Sequence, residues 1–320
     1  MNKTFDVDAI IRLDKFLAEK LNVSRNQIEN AIKAELVFID NIIAKKSGTM
    51  LKLGQVVTFH EPQITTSEPQ QIDFDVDILF EDDDLMILNK PYNLTVHPAP
   101  SVKESTLVDW LKTKNISLST LSGEERHGIV HRLDKGTSGA IAIAKNNLSH
   151  QNLSSQLEDK SMGRYYLAII DLPLKENCIV EKNIGRNQHN RLKMDINQNG
   201  RYAKTAFTKI STSKNGKFEL IAAKLFTGRT HQIRVHLKSL HRHIIGDSLY
   251  GFKGEINKID RIFLHAYCMY LEHPTKKVRL ECEAPLKEDM FKFLNNNFDM
   301  EDISEKLNKN FIIGCFNSIS

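Results

Sequence analysis

The chain has 320 residues, of which 41% are hydrophobic and 26% charged, with a formal net charge of +4 at pH 7. This length and composition exclude an intrinsically disordered chain and allow a sizeable core in two domains. No apolar run reaches the roughly 18–20 residues that span a bilayer, and the N-terminus lacks a secretory signal pattern. The four cysteines are scattered without CxxC spacing. We therefore expect a cytoplasmic protein with no transmembrane helix, disulfide framework or zinc knuckle.

Charge is segregated along the chain. Residues 61–84 contain nine acidic side chains and no Lys or Arg, whereas residues 200–253 contain eleven Lys or Arg and two acidic side chains. The excess of positive charge in residues 200–253 predicts a basic face that binds a polyanion. A solvated lysine-rich surface is the alternative, and charge alone does not distinguish the two.

Residues 12–59 predict a small module of two helices followed by a hairpin. RLDKFLAEKL, which starts at Arg12, places its leucines and phenylalanine on one helical face, and Ser24 is placed to cap a second helix, SRNQIENAIKAE. The strand-like runs LVFID and QVVTFH follow, with a turn at Asp40 and Asn41 between the strands of the hairpin. Such a module is too small for an enzyme cleft but suits RNA binding.

The rest of the chain predicts a linker, a larger domain and a tail. Residues 60–71 are polar, include two prolines and predict an interdomain linker. In residues 72–295, strands are predicted at IDFDVDILF, LMIL, GAIAIAK, YYLAII, AKTAFTKI, KFELIAAKLF and VRLECEAP. Helices are predicted between them at STLVDWLKTK, LSHQNLSSQLED and THQIRVHLKSL. This succession predicts an α+β domain, and the tail, residues 296–320, is partly helical in pattern and carries no motif.

The motif HRLDKGTSG, residues 131–139, contains one carboxylate, that of Asp134. Its small residues allow a ligand or another backbone to approach closely, and the following run AIAIAK predicts a buried strand that anchors the loop. A carboxylate in such a loop can attack the anomeric carbon of a sugar. It can also cap a helix or form a salt bridge with Arg132 or Lys135, and the motif taken alone favours this second interpretation.

The motif TGRTHQIRVHLKSLHRHIIGD begins at Thr227 and predicts a turn followed by a helix that starts near Thr230. Arg234 lies between two core positions of that helix, so we expect it to be partly buried and to need a carboxylate or phosphate partner. Asp134 is the candidate partner, and the pair would keep that carboxylate ionised in an apolar pocket. Four histidines of the motif fit no closed zinc pattern, so we predict no metal site and interpret them as polar helix residues or phosphate contacts: His231, His236, His241 and His243.

A third motif, RYYLA, begins at Arg164. Alternation along a strand places Tyr165 and Tyr166 on opposite faces of a sheet. One ring can then belong to the core while the other lines a pocket and stacks on a base. Two packed strand tyrosines are the alternative.

Together these motifs resemble those of the RluA-type pseudouridine synthases, in the group with an N-terminal S4 RNA-binding domain. HRLDKGTSG resembles the catalytic motif of that family, and NKPYNLTVHP, RYYLA and TGRTHQIRVH resemble its other three motifs. The S4 resemblance covers residues 12–59, with Glu35 and Asn41 where the family usually has glycine and Gln55 where it usually has aspartate. Asn93 also replaces a usual glycine. The resemblance implies a pseudouridine synthase core of the α+β class, with a bent, mixed or antiparallel sheet and flanking helices.

The resemblance also implies roles for individual residues. Asp134 corresponds to the catalytic aspartate, Tyr166 to the tyrosine that stacks on the target uracil, and Arg234 to the arginine that pairs with the aspartate. Arg132 corresponds to the residue inserted into the RNA where the flipped base has left, and Arg229 is a further substrate-binding candidate. The S4 candidates for RNA contacts are Arg12, Lys15, Ser24, Arg25 and Lys33.

The implied activity is the isomerisation of specific uridines to pseudouridine, with 23S ribosomal RNA of the large subunit as the preferred target. We expect a monomer that uses no cofactor, metal or membrane. Asp134 either forms a covalent adduct or removes a proton from C2′. The alternatives are a synthase that acts on tRNA and a non-catalytic S4-type ribosome-assembly factor. A glycoside hydrolase would need a second positioned carboxylate, and the motifs contain none.

Overall fold

The computed structural model describes residues 2–21, 23, 25–60, 72–98, 102–114, 116, 118–121, 127–251, 259 and 261–317. The chain divides into two compact units, residues 1–70 and 71–320. The predicted cap at Ser24 and all of the predicted linker beyond His60 lie outside the described residues. Within the described ranges, no helix is both long and apolar enough to cross a membrane.

The first unit contains the two predicted helices and a small sheet. Its elements are β1 (Asn2–Asp6), β2 (Ile11–Arg12), α1 (Leu13–Leu21), α2 (Arg25–Lys33), β3 (Val37–Ile39), β4 (Ile42–Ile43), β5 (Met50–Leu51) and β6 (Val56–His60). The sheet has the strand order β1-β6-β3-β4, and β2 pairs with β5. The sequence analysis did not predict β1, which lies before residue 12 and pairs antiparallel with β6.

Three positions at which the resemblance leads us to expect glycine have the left-handed backbone that glycine favours. The φ angles are 59° at Glu35, 67° at Asn41 and 62° at Asn93. Asparagine adopts this conformation at little cost, but for glutamate it is strained. These three turns therefore have the backbone conformation of a glycine turn without containing glycine at these positions.

The second unit is built on a nine-stranded sheet. The strands of this unit are β7 (Asp77–Glu81), β8 (Leu85–Lys90), β9 (Ser138–Ala144), β10 (Gly163–Asp171), β11 (Cys178–Glu181), β12 (Ile184–Arg186), β13 (Met194–Ile196), β14 (Lys204–Thr212), β15 (Phe218–Leu225), β16 (Leu264–Glu272) and β17 (Arg279–Glu283). The sheet order is β11-β14-β15-β10-β16-β9-β8-β7, with β17 paired to β16, and β12 and β13 form a separate hairpin. The pair β9–β16 is parallel and the other strand pairs are antiparallel. The predicted α+β class is confirmed.

Helices cover both faces of this sheet. They are α3 (Leu107–Thr113), α4 (Asn147–Glu158), α5 (Gln232–Ser239), α6 (Glu288–Asn297), α7 (Met300–Lys306) and α8 (Lys309–Gly314). The prediction that α5 starts near Thr230 is confirmed, since its N-cap is His231, which has a left-handed φ of 56°, and the helix begins at Gln232. The capping box of Thr106 and Asp109 fixes the start of α3.

β10 separates two hydrophobic clusters. Tyr166 belongs to one cluster, together with buried residues of α3 and α5. Tyr165 belongs to the other, into which α7 and α8 insert Ile303 and Ile312. The prediction that the two tyrosines lie on opposite faces is confirmed, and the helical part of the tail packs on the face opposite Tyr166.

Candidate active site

Asp134 lies in the loop that precedes β9. The main-chain N–H of Thr137 donates to the carbonyl oxygen of Asp134 over 3.0 Å and closes a turn. Leu133 is buried, whereas the Asp134 side chain is 17% exposed. The loop therefore anchors itself through one side chain and presents the next to solvent.

His131, the first residue of the motif, attaches this loop to the sheet. Its Nε2 accepts a hydrogen bond from the main-chain N–H of Ala142 in β9, over 3.0 Å. Burial, together with the positive charge of Arg164, lowers the pKa of His131 to about 3. The imidazole is therefore neutral at physiological pH, with its proton on Nδ1 because Nε2 accepts.

Gly139, the last residue of the motif, has a φ of 109° and pairs with Ala266 in the parallel ladder between β9 and β16. A Cβ atom here would lie 2.2 Å from the carbonyl oxygen of Ala266. Only glycine allows the two strands to approach this closely. The motif therefore ends in glycine because the sheet requires it.

Lys90 stabilises the Asp134 loop through hydrogen bonds to main-chain carbonyl groups. Its fully buried ammonium group donates to the carbonyl oxygens of Pro91 and Leu94, each over 2.8 Å, and to that of Lys135 over 3.4 Å. Burial lowers the pKa of Lys90 to about 7, while the negative charge of Asp134 acts in the opposite direction. The lysine joins the end of β8 to the residue that follows Asp134.

Arg234 contacts two carboxylates, of which the sequence predicted one. Its Nη1 lies 3.3 Å from Oδ2 of Asp134, so the predicted contact is present. The shorter contacts are to Asp247, with Nε to Oδ2 at 2.7 Å and Nη2 to Oδ1 at 2.8 Å. This bidentate pair is almost completely buried, with the two side chains 6% and 1% exposed. The predicted contact with Asp134 is therefore confirmed, but the sequence analysis did not predict the closer, bidentate contact with Asp247.

Asp247 could have been suspected from the sequence, because it is one of only two acidic residues in the basic segment 200–253. Its Oδ1 also accepts the main-chain N–H groups of Leu249 and Tyr250, each over 3.1 Å. The ring of Tyr250 lies 4.8 Å from the Arg234 guanidinium carbon. Asp247 and Tyr250 thus hold the guanidinium in place from the side away from Asp134.

His231 lies beside the same carboxylate. Its Nε2 is 4.0 Å from Oδ2 of Asp134, and its Nδ1 lies 2.9 Å from the hydroxyl of Tyr250. Burial lowers the pKa of His231, against the opposing effect of the Asp134 charge. Sequence reasoning did not place this histidine at the site. Two other histidines of the same motif bond to protein groups instead, His236 to Thr205 and His243 to Asp171.

Tyr166 lies in the wall of the same cleft and is 5% exposed. Burial raises the pKa of its hydroxyl to about 12, against the opposing positive charge of Arg164 and with a smaller contribution from the negative charge of Asp134. The phenol therefore keeps its proton at neutral pH.

The cleft has a volume of about 820 Å³. Asp134, Tyr166 and His231 all line it, as do six basic side chains: Arg132, Lys160, Arg164, Arg201, Arg229 and Arg234. Arg132 is exposed, whereas Nε of Arg229 donates to the carbonyl oxygen of Tyr202 over 3.0 Å. The cleft also contains a second carboxylate, Glu158, and a second phenol, Tyr202. Six basic side chains against two carboxylates give the lining an excess of positive charge, which suits an anionic substrate.

A possible metal-ligand group lies outside this cleft. Oxygen atoms of Asp82 and Asp84 and a ring nitrogen of His273 are all within 4.8 Å of one another. Protein groups already occupy these atoms, since Asp82 contacts His273 over 2.6 Å and Lys276 over 2.7 Å, and Asp84 accepts from Thr275. The ammonium group of Lys276 neutralises the cluster as a cation would, so we interpret the cluster as a structural network.

Four of the five S4 candidates are described, and all four are exposed: Arg12, Lys15, Arg25 and Lys33. Arg12 donates to Asp14 through Nε over 3.0 Å and Nη2 over 2.9 Å, and Lys33 is paired with Glu29 over 2.9 Å. Surface pairs of this kind are weak and exchange readily for other anions. Ser24 lies outside the described residues.

Comparison with known proteins identifies the family of this chain. Residues 84–239 match the RNA pseudouridylate synthase profile, and residues 11–57 match the S4 domain profile. An uncharacterized RNA pseudouridine synthase of Helicobacter pylori strain J99 is 50% identical, over 95% of both chains. The chain belongs to the RNA pseudouridine synthase family.

Further relatives support this membership. An uncharacterized RNA pseudouridine synthase of Bacillus subtilis is 37% identical over 89% of the present synthase and 93% of its own length. Ribosomal large subunit pseudouridine synthase D of Zymomonas mobilis is 33% identical over 87% and 91%. The solved structure of human RNA pseudouridylate synthase domain containing 1 has the same fold, with a TM-score of 0.53 at 22% identity over 70% of this synthase and 96% of that chain.

Proposed function

We propose that this synthase isomerises specific uridines of large-subunit ribosomal RNA in the cytoplasm, as a monomer, with Asp134 as its catalytic residue. The observation that supports the role of Asp134 is its contact with Arg234, over 3.3 Å, in a cleft that Tyr166 also lines. Glu158 also lines the cleft and is exposed, but Asp134 is the lining carboxylate that contacts Arg234. The carboxylate of Asp247 is buried in its own pair with Arg234.

The residues of the cleft match the requirements of the reaction. Isomerisation breaks the bond between N1 of uracil and C1′ of ribose, turns the base and forms a bond from C1′ to C5, while the C5 proton leaves and N1 gains a proton. The uridine first leaves its stack, at a cost of a few kcal/mol. Stacking on Tyr166, and insertion of the exposed Arg132 into the vacated space, would offset that cost.

Asp134 can begin the reaction in two ways. Its carboxylate can attack C1′ or C6 of uracil, or it can remove the C2′ proton to give a glycal. In both schemes the neighbouring Arg234 stabilises the negative charge on Asp134 before the reaction and after the carboxylate is regenerated. Tyr166 keeps its proton at neutral pH, so its hydroxyl is available as a donor within the cleft.

Replacing Asp134 by Asn tests the proposed role. The change preserves side-chain shape and removes the negative charge, so we expect pseudouridine formation to fall below detection while the protein still folds and binds RNA. Release of tritium from [5-³H]uridine-labelled ribosomal RNA measures the reaction directly. Substantial turnover by Asp134→Asn would exclude the role, whereas loss of both activity and RNA binding would indicate misfolding.

The proposed target rests on the name of the Zymomonas mobilis relative, a ribosomal large subunit synthase, and on the S4 domain. Chemical mapping of pseudouridines in total RNA from cells with and without the gene identifies the target. We expect the lost sites to lie in 23S RNA. Lost sites in tRNA alone would favour the tRNA alternative, and an unchanged map would favour a non-catalytic assembly factor.

A further inference from the structure

Arg164 lies in β10, two residues before Tyr166, and its guanidinium lines the same cleft. The residue is only 8% exposed, and its Nε is buried with no hydrogen-bond partner. Within the described ranges, its guanidinium forms no ion pair with a carboxylate and no hydrogen bond. Arg164 is therefore a buried cation without a protein counter-ion in the part of the chain that is described.

The other buried arginines show that this is unusual in the molecule. Three described arginines are buried: Arg164, Arg234 and Arg261. Arg234 pairs with Asp247 over 2.7 Å, and Arg261 pairs with Asp289 over 3.0 Å. Burial of an unpaired guanidinium carries a large desolvation cost, and arginine does not escape it by losing its proton at physiological pH. A partner from outside the chain would explain why Arg164 is tolerated.

A second unpaired donor lies in the same cleft. Nδ1 of His131 is buried and has no hydrogen-bond partner, and it carries the imidazole proton because Nε2 accepts from Ala142. The charge of Arg164 lowers the pKa of His131, which indicates that the two side chains are close enough to interact. The cleft therefore contains two buried N–H donors, one of them cationic, that a single acceptor-rich anion could satisfy.

Gly228 lies directly against the Arg164 guanidinium. A Cβ atom at this position would lie 2.9 Å from Nη1 of Arg164. The turn that follows β15 therefore runs directly against the guanidinium without a side chain to cover it. Any other residue at this position would press its Cβ atom against the Arg164 guanidinium, which lines the cleft.

We propose that Arg164, assisted by Nδ1–H of His131, binds a phosphodiester group of the RNA next to the uridine that stacks on Tyr166. Every nucleotide supplies one such anion, and a guanidinium binds phosphate oxygens through a bidentate fork. Residues i and i+2 of a strand are about 6.6 Å apart, so a base on Tyr166 brings the phosphates of its own nucleotide within reach of Arg164. The inference rests on the proposed function, because it requires RNA in this cleft.

Replacing Arg164 by Met tests the inference with a labelled oligouridylate, whose affinity is measured by fluorescence anisotropy at several salt concentrations. We expect the affinity to fall by roughly tenfold or more, as for loss of a charged hydrogen bond. The slope of log affinity against log salt should decrease in magnitude by about 0.7 to 1, which corresponds to one phosphate contact. The RNA-free variant should also melt at a temperature equal to or above that of the wild type, since an unpaired buried charge has been removed.

Arg261→Met is the matched control, because Arg261 is equally buried but paired and does not line the cleft. It should lower the melting temperature and leave the salt slope unchanged. An unchanged slope for Arg164→Met, together with a lowered melting temperature, would overturn the inference and make Arg164 a structural residue. If Arg164→Met does not fold, Arg164→Gln also removes the charge while keeping a polar side chain, and an unchanged salt slope in that variant would equally overturn the inference.

The binding measurement separates this inference from the proposed function. A reduced slope for Arg164→Met in a protein that forms no pseudouridine would support the phosphate contact and reject the proposed function. Pseudouridine formation with an unchanged slope would support the proposed function and reject the phosphate contact.

Discussion

Replacing Asp247 by Asn should destabilise the unit that contains residues 71–320 and slow the reaction, although the side-chain shape is preserved. Asp247 holds the Arg234 guanidinium by two contacts, at 2.7 and 2.8 Å, and the two side chains are 1% and 6% exposed. The amide removes the negative charge and leaves a buried cation whose remaining carboxylate contact is Asp134 at 3.3 Å.

Removing one partner of a buried ion pair destabilises a protein by about 3–5 kcal/mol. Because Asp134 still offsets part of the Arg234 charge, we take the lower end, about 3 kcal/mol. For a unit of this size each kcal/mol shifts Tm by about 2–4 °C, so a decrease of roughly 6–12 °C is expected. The freed guanidinium is also expected to draw Asp134 out of position, and a displacement of about 1 Å can lower the rate up to about 100-fold.

Thermal unfolding followed by circular dichroism measures the first effect, and tritium release measures the second. Glu104→Gln is a suitable control, because it removes an exposed ion pair to Lys135, at 3.3 Å, on the Asp134 loop. Such pairs contribute about 1 kcal/mol or less. If Asp247→Asn melts within about 2 °C of wild type, less than the shift expected for 1 kcal/mol, and keeps its rate, Asp134 alone satisfies Arg234 and the reasoning is refuted.

Three further outcomes follow from the geometry. Gly139→Ala places a Cβ atom 2.2 Å from the Ala266 carbonyl oxygen. We therefore expect urea unfolding to show a free energy of unfolding lower by about 3 kcal/mol. A urea midpoint equal to that of the wild type would contradict the close approach of the two strands. Tyr166→Phe keeps the ring, so RNA affinity should stay within about twofold of the wild-type value. If the hydroxyl transfers a proton, the rate of pseudouridine formation should fall about 100-fold. An unchanged rate would limit the role of Tyr166 to stacking. Burial lowers the pKa of His265 to about 4, below the roughly 6.5 of the unfolded chain. Between these two pH values the unfolded state binds more protons than the folded state. The contribution of His265 to the free energy of unfolding is therefore fully present above about pH 6.5. It declines as the pH falls towards 4, by up to about 1.4 kcal/mol per pH unit. Urea midpoints across that range should show a smaller decline in His265→Asn, and equal slopes would refute the assignment.

Some of this structure could be predicted because its pattern is local. The period of two in RYYLA was enough to place Tyr165 and Tyr166 on opposite faces of β10. The strand β16 was missed although it lies in the middle of the sheet, between β10 and β9. Its sequence, LHAYCMYLE, is apolar on both faces because both are buried, so it lacks the alternation that marks a half-exposed strand.

Other features depend on contacts that no local pattern records. The bidentate pair of Arg234 with Asp247 depends on where the segment after α5 turns back. The sequence contains two candidate carboxylates, Asp134 and Asp247, and does not indicate which lies closer to Arg234. The left-handed conformation of His231, the N-cap of α5, is equally set by the surrounding structure. The motif that contains Arg164 likewise gives no sign that this arginine is buried without a carboxylate partner among the described residues, because burial and pairing are set by distant segments.

The sequence separation of the site residues also determines how late the site can form as the chain folds. Lys90 and Lys135 are 45 residues apart, and Asp134 and Arg234 are 100 apart. Contacts between distant segments form late, since the intervening chain must first lose its freedom. The hairpin of β14 and β15 is local by comparison. After dilution from denaturant, we therefore expect secondary structure to return before activity, so that isomerisation reports the last stage of folding.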